Sequence, residues 1–297
     1  MDLSRRVIAV VGGDEREQEI ARLAATTGAE VRAYGFPWPA AGIEGVTQVS
    51  SAGDALAGAD YALFPIPGQA ADGALFAPES PERIVPDRAL LKQMNPGASI
   101  VLGWPDDGLR SAADELGIIM SEYEHDTELM LLRMPAIVEG ALGRVIGNTD
   151  ITIHNATVAV VGHGNIGRLL TRTLVLLGAH VHLFARNPVQ RADAFTAGAT
   201  PHSLTELAEV APTLDMVFST VPSAVVSADI LKLIPAGALV MDLAAPPGGI
   251  DLAAADAAGH RVIWARGMGR RAPVTVGRSQ WSGISRRIAE LEEERNK

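Results

Sequence analysis

A chain of 297 residues is longer than one hydrophobic core usually supports and suits two domains of ordinary size. With 47% hydrophobic and 20% charged residues it reads as a folded globular chain, and a formal net charge of -10 argues against a nucleic-acid partner, which needs a clustered basic face. It contains no cysteine, which excludes disulfides, thiolate metal ligands and thiol nucleophiles.

The opening six residues enter a strand without the apolar stretch of a signal peptide. No apolar run approaches the ~20 residues of a membrane span, so a cytoplasmic protein without a membrane partner is expected. Val7-Ile8-Ala9-Val10-Val11 is an unbroken apolar run of strand type, followed by Gly12-Gly13-Asp14 and a helical stretch over 15–27. Asp14 stands where an N-cap accepts hydrogen bonds from the free N–H groups of the first turn. Further strands are predicted at 30–34, 46–49, 61–65, 99–102 and 118–120, with helices between them. Such alternation predicts a parallel sheet covered on both faces. This first turn lacks a full G-x-G-x-x-G, so no dinucleotide is assigned to it.

Residues 126–147 have helical period interrupted at Pro135, where a kink or break is expected. That helix would carry the chain from an N-terminal α/β substrate domain over 1–125 to a second domain over 148–274. There the apolar run Val158-Ala159-Val160-Val161 meets Gly162-His163-Gly164-Asn165-Ile166-Gly167 and a helical pattern, the Rossmann dinucleotide fingerprint in its proper setting. Gly162 permits the tight turn, Gly164 lets backbone approach a pyrophosphate, and Gly167 lets helix pack on strand. Phosphates then meet the free N–H groups and partial positive charge of the helix start, so residues 162–167 are the predicted cradle. Strands follow at 180–184, 215–220, 239–243 and 261–264, with helices at 188–197, 204–210 and 227–233. A last helical segment, 275–297, is expected to return to the first domain. The fold class expected is α/β, two doubly wound parallel-sheet domains of which the second is of Rossmann type.

An NAD-preferring site ends its second strand on Asp or Glu, which holds the ribose 2′-hydroxyl. Here that position reads Phe184-Ala185-Arg186-Asn187. Arg186, Asn187 and Arg191 are therefore predicted to form a cationic pocket for the 2′-phosphate of NADP. Three loops at strand ends converge on the nicotinamide side: Thr220-Val221-Pro222, then Asp242-Leu243 running on to Pro247 and Gly248, then residues 265–273. Asp242 reads equally as a group that polarises substrate and as a helix cap. His163 lies inside the glycine turn and is read as a neighbour of the pyrophosphate. His125, between Glu122 and Asp126, is the histidine placed at the domain junction. No spacing matches a metal site or a serine nucleophile elbow.

These segments resemble the dipicolinate synthase A-subunit family. The resemblance rests on Val11-Gly12-Gly13-Asp14-Glu15-Arg16, on Pro135-Ala136-Ile137-Val138-Glu139-Gly140 and on Thr149-Asp150-Ile151-Thr152-Ile153-His154. It continues through Ala159–Gly164, Ala185-Arg186, Thr220-Val221-Pro222-Ser223, and Asp242-Leu243-Ala244 with Pro247-Gly248-Gly249, in the same order over almost the whole chain. It implies a two-domain dehydrogenase layout, NADP as cofactor and, as partner, the synthase's flavoprotein-like B-subunit. The implied reaction forms pyridine-2,6-dicarboxylate from hydroxy-tetrahydrodipicolinate by dehydration and hydride transfer. A homo-oligomer is also expected.

Roles follow by position. Asp14 and Glu139 are the acid–base candidates, with a helix cap and an ion-paired helix residue as their plainer readings. Gly13, Arg16, Arg133, Pro247 and Gly248 are the candidates for holding the dicarboxylate substrate. The chain departs from the family at Ala245-Pro246, at residues 265–270, and at Leu132-Arg133-Met134 before Pro135. The added cations Arg133, Arg266 and Arg270 either replace a lost anion contact or mark another substrate. The alternatives are an NADPH-dependent reductase of a related imine or keto acid, and a cofactor-binding protein that works only with a partner.

Overall fold

The computed structural model describes residues 1–66, 68–70, 72–123 and 125–295. It separates into two compact units: Met1–Arg133 together with the chain from Ala272 onward, and Met134–Arg271. Each unit is built on one six-stranded sheet.

In the first unit the strands are β1 (Val7–Val11), β2 (Glu30–Tyr34), β3 (Val46–Gln48), β4 (Tyr61–Leu63), β5 (Ser99–Leu102) and β6 (Ile119–Glu122). Helices α1 (Glu15–Ala25), α2 (Ala52–Leu56), α3 (Arg88–Leu91) and α4 (Asp107–Leu116) connect them. The strand order is β3-β2-β1-β4-β5-β6 and every pairing is parallel. This order reverses direction between β1 and β4, so the turn after β1 opens at the point where such sheets receive ligands. β1 is apolar throughout because both faces are covered: Ala9 and Val11 join a core with Leu56, Leu91, Leu102 and Leu109, while Ile8 and Val10 are buried as well.

The chain leaves this unit along α5 (Thr127–Asn148), a helix of 22 residues. Of the kink or break expected at Pro135, the break does not occur. Pro135 lies inside the continuous helix, and the boundary between the units falls at Arg133 and Met134, just before it.

The second unit holds β7 (Thr157–Val161), α6 (Asn165–Leu176), β8 (His180–Phe184), α7 (Pro188–Thr196), β9 (Thr200–His202), α8 (Leu207–Val210) and β10 (Met216–Ser219). It closes with α9 (Ala228–Leu231), β11 (Leu239–Asp242), α10 (Leu252–Ala257) and β12 (Arg261–Trp264). The order β12-β11-β10-β7-β8-β9 is again all parallel and puts the fingerprint strand at the centre. Val158 and Val160 of β7 face a core with Val138, Val145, Leu170 and Leu174. Ala159 and Val161 face the opposite one, with Leu207, Val217, Leu231 and Val240. Strand β9 and helix α10 are not among the predicted elements.

The last helix, α11 (Pro273–Arg295), belongs to the first unit and packs on α1. A side chain at Gly277 would stand 2.7 Å from the Arg16 carbonyl oxygen, so glycine there sets how closely the two helices approach. Arg278 of α11 pairs with Glu19 of α1 at 2.7 Å. The two doubly wound sheets and the returning helix are thus as the sequence implies. Among the described residues no helix is long and apolar enough to cross a membrane.

One edge of the second sheet is sensitive to acid. His182 Nδ1 and His202 Nε2 lie 2.9 Å apart across β8 and β9, and a shared hydrogen bond needs one of the two rings neutral. Burial, then His202 and His180, hold the His182 imidazole below its ordinary 6.5. The unfolded chain therefore takes up this proton first, and stability falls as pH drops below 6.5 towards the depressed folded value. Thermal melts of wild type and His182→Gln between pH 7 and pH 5 check this. The wild type should lose more stability on acidification than the variant, and equal losses would count against the pair.

Candidate functional site

Two strand–glycine–helix turns occupy the same place in the two sheets, yet they differ in who fills them. After β7 the turn bends at Gly162, whose φ is +97. A Cβ there would meet Thr220 Oγ1 and Val221 Cγ1 at 2.6 Å, so the loop after β10 closes over the turn from one side. A Cβ on Gly167 would stand 2.1 Å from the Gly162 carbonyl oxygen, which requires glycine for α6 to start against the turn. Gly164, by contrast, has nothing within 4 Å of its Cβ position, and as N-cap of α6 it receives no side-chain hydrogen bond. Gly164 and Asn165 are exposed and Ile166 half-buried. Among the described residues the first-turn N–H groups thus have no side-chain acceptor, which is the cradle a pyrophosphate needs.

The turn after β1 is closed by the protein itself. Gly13 N–H donates to the Phe76 carbonyl at 2.6 Å, and the space beside Gly13 is filled by the Glu17 side chain, 2.2 Å from a Cβ position. Asp14 and Glu17 form a capping box: Asp14 Oδ1 accepts from the Arg16 N–H at 3.2 Å, and Glu17 Oε2 accepts from the Asp14 N–H at 2.7 Å. The chain's own carboxylates stand where phosphates would sit, so the dinucleotide belongs to the second unit.

At the end of β8 the expected three-residue cationic pocket resolves into one exposed cation and its supports. Asn187 caps α7, its Oδ1 accepting from the Val189 N–H at 2.8 Å. Arg191 turns back and donates through Nη1 to the carbonyls of Ala185 and Arg186 at 2.9 and 2.8 Å. Among the described residues the Arg186 side chain alone of the three is exposed without a partner, and no carboxylate stands beside it in the Phe184–Asn187 stretch. His163 is turned inward: its ring is buried, and Nε2 meets Asp193 Oδ2 at 2.9 Å, with Arg168 on the same carboxylate at 3.0 Å. Asp193, which no sequence motif marks, ties α7 to the turn and is held below the ordinary carboxylate range by His163 first.

Asp242 ends β11 fully buried, at 0% exposure. It caps no helix and serves as an acceptor for the loop that follows. Its Oδ1 accepts from the Ala244 N–H at 2.9 Å, and its Oδ2 from the Gly249 and Ile250 N–H groups at 2.7 and 3.1 Å. The carboxylate therefore holds the whole loop over 243–250, in which the Pro246–Pro247 bond is cis and Gly248 has a φ of +91. Leu243 is buried in the core, while Pro247 is exposed. Gly249 must be glycine because a Cβ would stand 2.1 Å from Ser219 Oγ. Thr220 Oγ1 donates to the Val161 carbonyl at 3.1 Å, joining the loop after β10 to the fingerprint strand, and Pro222 beside it is exposed.

Each of the acid–base candidates has the feature of its plainer reading: Asp14 is the N-cap of α1 and Glu139 is an ion-paired helix residue. Asp14 is 0% exposed, and both its oxygens take the Arg16 guanidinium, Nε at 2.7 Å and Nη2 at 2.8 Å. Glu139 is exposed and paired with Arg271. His125 packs edge-on against Trp104, ring centroids 4.8 Å apart. Arg133 Nη2 reaches Met130 Sδ at 2.6 Å within α5. The unforeseen acid is Glu17, 2% exposed, whose Oε1 has no hydrogen-bond partner. Burial pushes its carboxyl up to about 7 despite the neighbouring Arg16. The G-G-D-x-R-E spacing is that of a capping box, and read as one it would have found this residue. No group of three or more metal-ligating side chains exists among the described residues.

A parallel Rossmann-type sheet with an open glycine turn at its centre defines the dinucleotide-binding half of an NAD(P)-dependent oxidoreductase. Residues 143–245 match the D-isomer specific 2-hydroxyacid dehydrogenase NAD binding domain, and residues 7–123 match the N-terminal domain of the dipicolinate synthase A-subunit. The chain is 30% identical over 292 residues to the dipicolinate synthase A-subunit of Bacillus subtilis (strain 168), covering 98% of each. It therefore belongs to the dipicolinate synthase A-subunit family. The crystal structure of the dipicolinate synthase A-subunit from Bacillus halodurans matches with a TM-score of 0.87 at 27% identity, over 97% of this chain and 99% of that one. The crystal structure of the corresponding dipicolinate synthase polypeptide from Bacillus subtilis matches with a TM-score of 0.83 at 28% identity, over 97% of both.

Proposed function

We propose that this chain is an NADP-dependent oxidoreductase that forms pyridine-2,6-dicarboxylate from hydroxy-tetrahydrodipicolinate, by loss of water and hydride transfer, together with a flavoprotein-like B-subunit. The observation that carries the cofactor half is the contrast between the self-capped turn after β1 and the open turn over 162–167. Membership of the family supports the substrate half. When bound, the nicotinamide supplies a hydride acceptor beside the substrate ring.

The chain's residues then have separate tasks. The N–H groups of Asn165, Ile166 and Gly167 hold the pyrophosphate, and Thr220 and Val221 keep the turn shut on its other side. Arg186 pairs with the 2′-phosphate, and Arg191 stiffens the loop that presents it. Arg16 binds a substrate carboxylate: Asp14 takes one edge of its guanidinium, and Nη1 makes no hydrogen bond among the described residues. Asp14 is then the orienting counter-ion of Arg16 rather than the base. Pro247 and Gly248, on the loop that Asp242 holds, are further candidate substrate contacts.

The activity is tested by incubating the chain with hydroxy-tetrahydrodipicolinate and NADP, with and without the B-subunit, while following NADPH and dipicolinate absorbance. Absence of product in both cases sinks the assignment, whereas product only with the B-subunit makes this a partner-dependent enzyme. The cofactor preference has its own test. Arg186→Gln should weaken NADP binding about 30- to 100-fold, the loss of one charge-assisted pair of about 2–3 kcal/mol. NAD binding should change little, and equal weakening of both would remove the 2′-phosphate from Arg186.

A further inference from the structure

The end of β12 and the turn after it gather cations without acids of their own. Residues 257–271 hold four arginines and no Asp or Glu. Arg261 pairs with Asp150, Arg271 pairs with Glu139, and Arg270 is engaged as well. Arg266 differs from these. It is exposed, and among the described residues its guanidinium takes no carboxylate but lies over the Trp264 ring, 5.2 Å from the centroid. In a chain with 35 acidic against 25 basic residues, carboxylate partners are plentiful, so a cation held by an aromatic face instead stands apart. Such stacking attracts a guanidinium through its flat face and leaves the N–H donors on its edge for an anion.

The platform beneath Arg266 is fixed from inside the second sheet. Trp264 is 41% exposed, yet its Nε1 donates to the Ala244 carbonyl at 3.4 Å, and the Ala244 N–H donates to Asp242 Oδ1 at 2.9 Å. The backbone is tied to the same residue, since the Ala265 N–H donates to the Asp242 carbonyl at 2.8 Å. The Arg266 N–H then donates to the Trp264 carbonyl at 3.0 Å, and Gly267, with a φ of +66, turns the chain onward. Ring and guanidinium thus both hang from the buried Asp242, which sets their position before any ligand arrives.

The place of this pair in the sheet says which ligand it meets. Trp264 lies level with Asp242 of β11, Asp242 with Ser219 of β10, and Ser219 with Val161 of β7. In a doubly wound sheet each half takes one mononucleotide of the dinucleotide. Arg186 marks the half built on β7, β8 and β9 as the adenosine side, so β10, β11 and β12 carry the nicotinamide side. Three strand spacings put Trp264 about 14 Å from Val161, out along that side. We infer that Arg266, laid on Trp264, is a specificity-determining residue that binds a carboxylate of the substrate at the nicotinamide end of the second unit. Its planar fork matches a carboxylate held in the plane of a pyridine ring. The inference rests on the dicarboxylate reading given above, and no covalent bond is made or broken in it.

The probe is pyridine-2,6-dicarboxylate, titrated into the full chain at saturating NADP, with pyridine-2,6-dicarboxamide as the uncharged ligand of the same shape. Arg266→Gln should bind the dicarboxylate about 30- to 100-fold more weakly than wild type, the loss of one charge-assisted pair. Its affinities for the dicarboxamide and for NADP, and its thermal midpoint, should stay as in wild type. Arg266→Lys keeps the charge without the fork and should recover part of the loss. Trp264→Leu removes the platform and leaves the cation, so it should weaken the dicarboxylate about threefold to tenfold, and Trp264→Phe should do so less. If Trp264→Leu does not fold, the exposed Arg266 variants carry the test alone. Dicarboxylate binding by Arg266→Gln as tight as wild type, an equal loss for the dicarboxamide, or a loss of NADP instead overturns the inference and spares the dicarboxylate reading. No binding of the dicarboxylate to wild type overturns the dicarboxylate reading and the inference with it.

Discussion

Asp242→Ala should cost about 3–5 kcal/mol of stability and lower the unfolding midpoint of the second unit by on the order of 10 °C. The reason is the arithmetic of unmade bonds. Three backbone N–H groups, those of Ala244, Gly249 and Ile250, point at one fully buried carboxylate. Removing it leaves all three without an acceptor where water does not reach, at about 1–3 kcal/mol each before the loop relaxes. Asp242→Asn should cost less but still about 2 kcal/mol, because an amide has one acceptor oxygen and must aim its NH2 at N–H groups. Both variants should also bind the dinucleotide more weakly, since the loop over 243–250 packs through Gly249 on Ser219 and the Val221 carbonyl, next to the glycine turn. A thermal melt and a dinucleotide titration on the same preparations check this. An Asp242→Ala chain that melts like wild type would show that the loop does not depend on this carboxylate.

The same residue shows how far the sequence can be read. Apolar strand runs and glycine turns are local signals, so two parallel sheets of alternating strands and helices can be inferred from spacing, whereas the return of α11 is inferred by analogy with two-domain dehydrogenases. Fillings are not local. Asp242 reads equally as polarising a substrate and as capping a helix, because nothing in one dimension shows that Gly249 and Ile250, seven and eight residues on, fold back to its Oδ2. Pro135 is expected to interrupt α5. The helix continues through it, and the division between units falls instead beside it, at Arg133 and Met134. Strand β9 reads Thr200-Pro201-His202 and escapes prediction because it has no apolar run and holds a proline, which argues against a strand. Of the pocket expected from Arg186, Asn187 and Arg191, cap geometry and a back-turned guanidinium leave only the Arg186 side chain exposed and unpartnered among the described residues. Glu17 is hidden by the charge-rich stretch around it, where a buried acid and a solvated one look alike.

The open turn itself makes the sharpest demand, because two of its glycines should fail in opposite ways. Gly167→Ala places a Cβ 2.1 Å from the Gly162 carbonyl oxygen and 2.9 Å from Thr220 Oγ1. The first of these is backbone that belongs to the turn, so α6 must move off β7. We expect about 2–4 kcal/mol of destabilisation and dinucleotide affinity reduced at least about 100-fold. Gly164→Ala is the opposite case. Its φ of -79 suits alanine, and among the described residues nothing beyond its own chain neighbours lies within 4 Å of the new methyl. Stability should therefore stay within about 0.5 kcal/mol of wild type. Dinucleotide affinity should still fall, by about tenfold or more, because the methyl stands where backbone must come close to the pyrophosphate. A Gly164→Ala chain that folds and binds NADP as wild type does would mean that the open space beside α6 is not the phosphate cradle. Loss of both stability and binding would mean that the turn is not open.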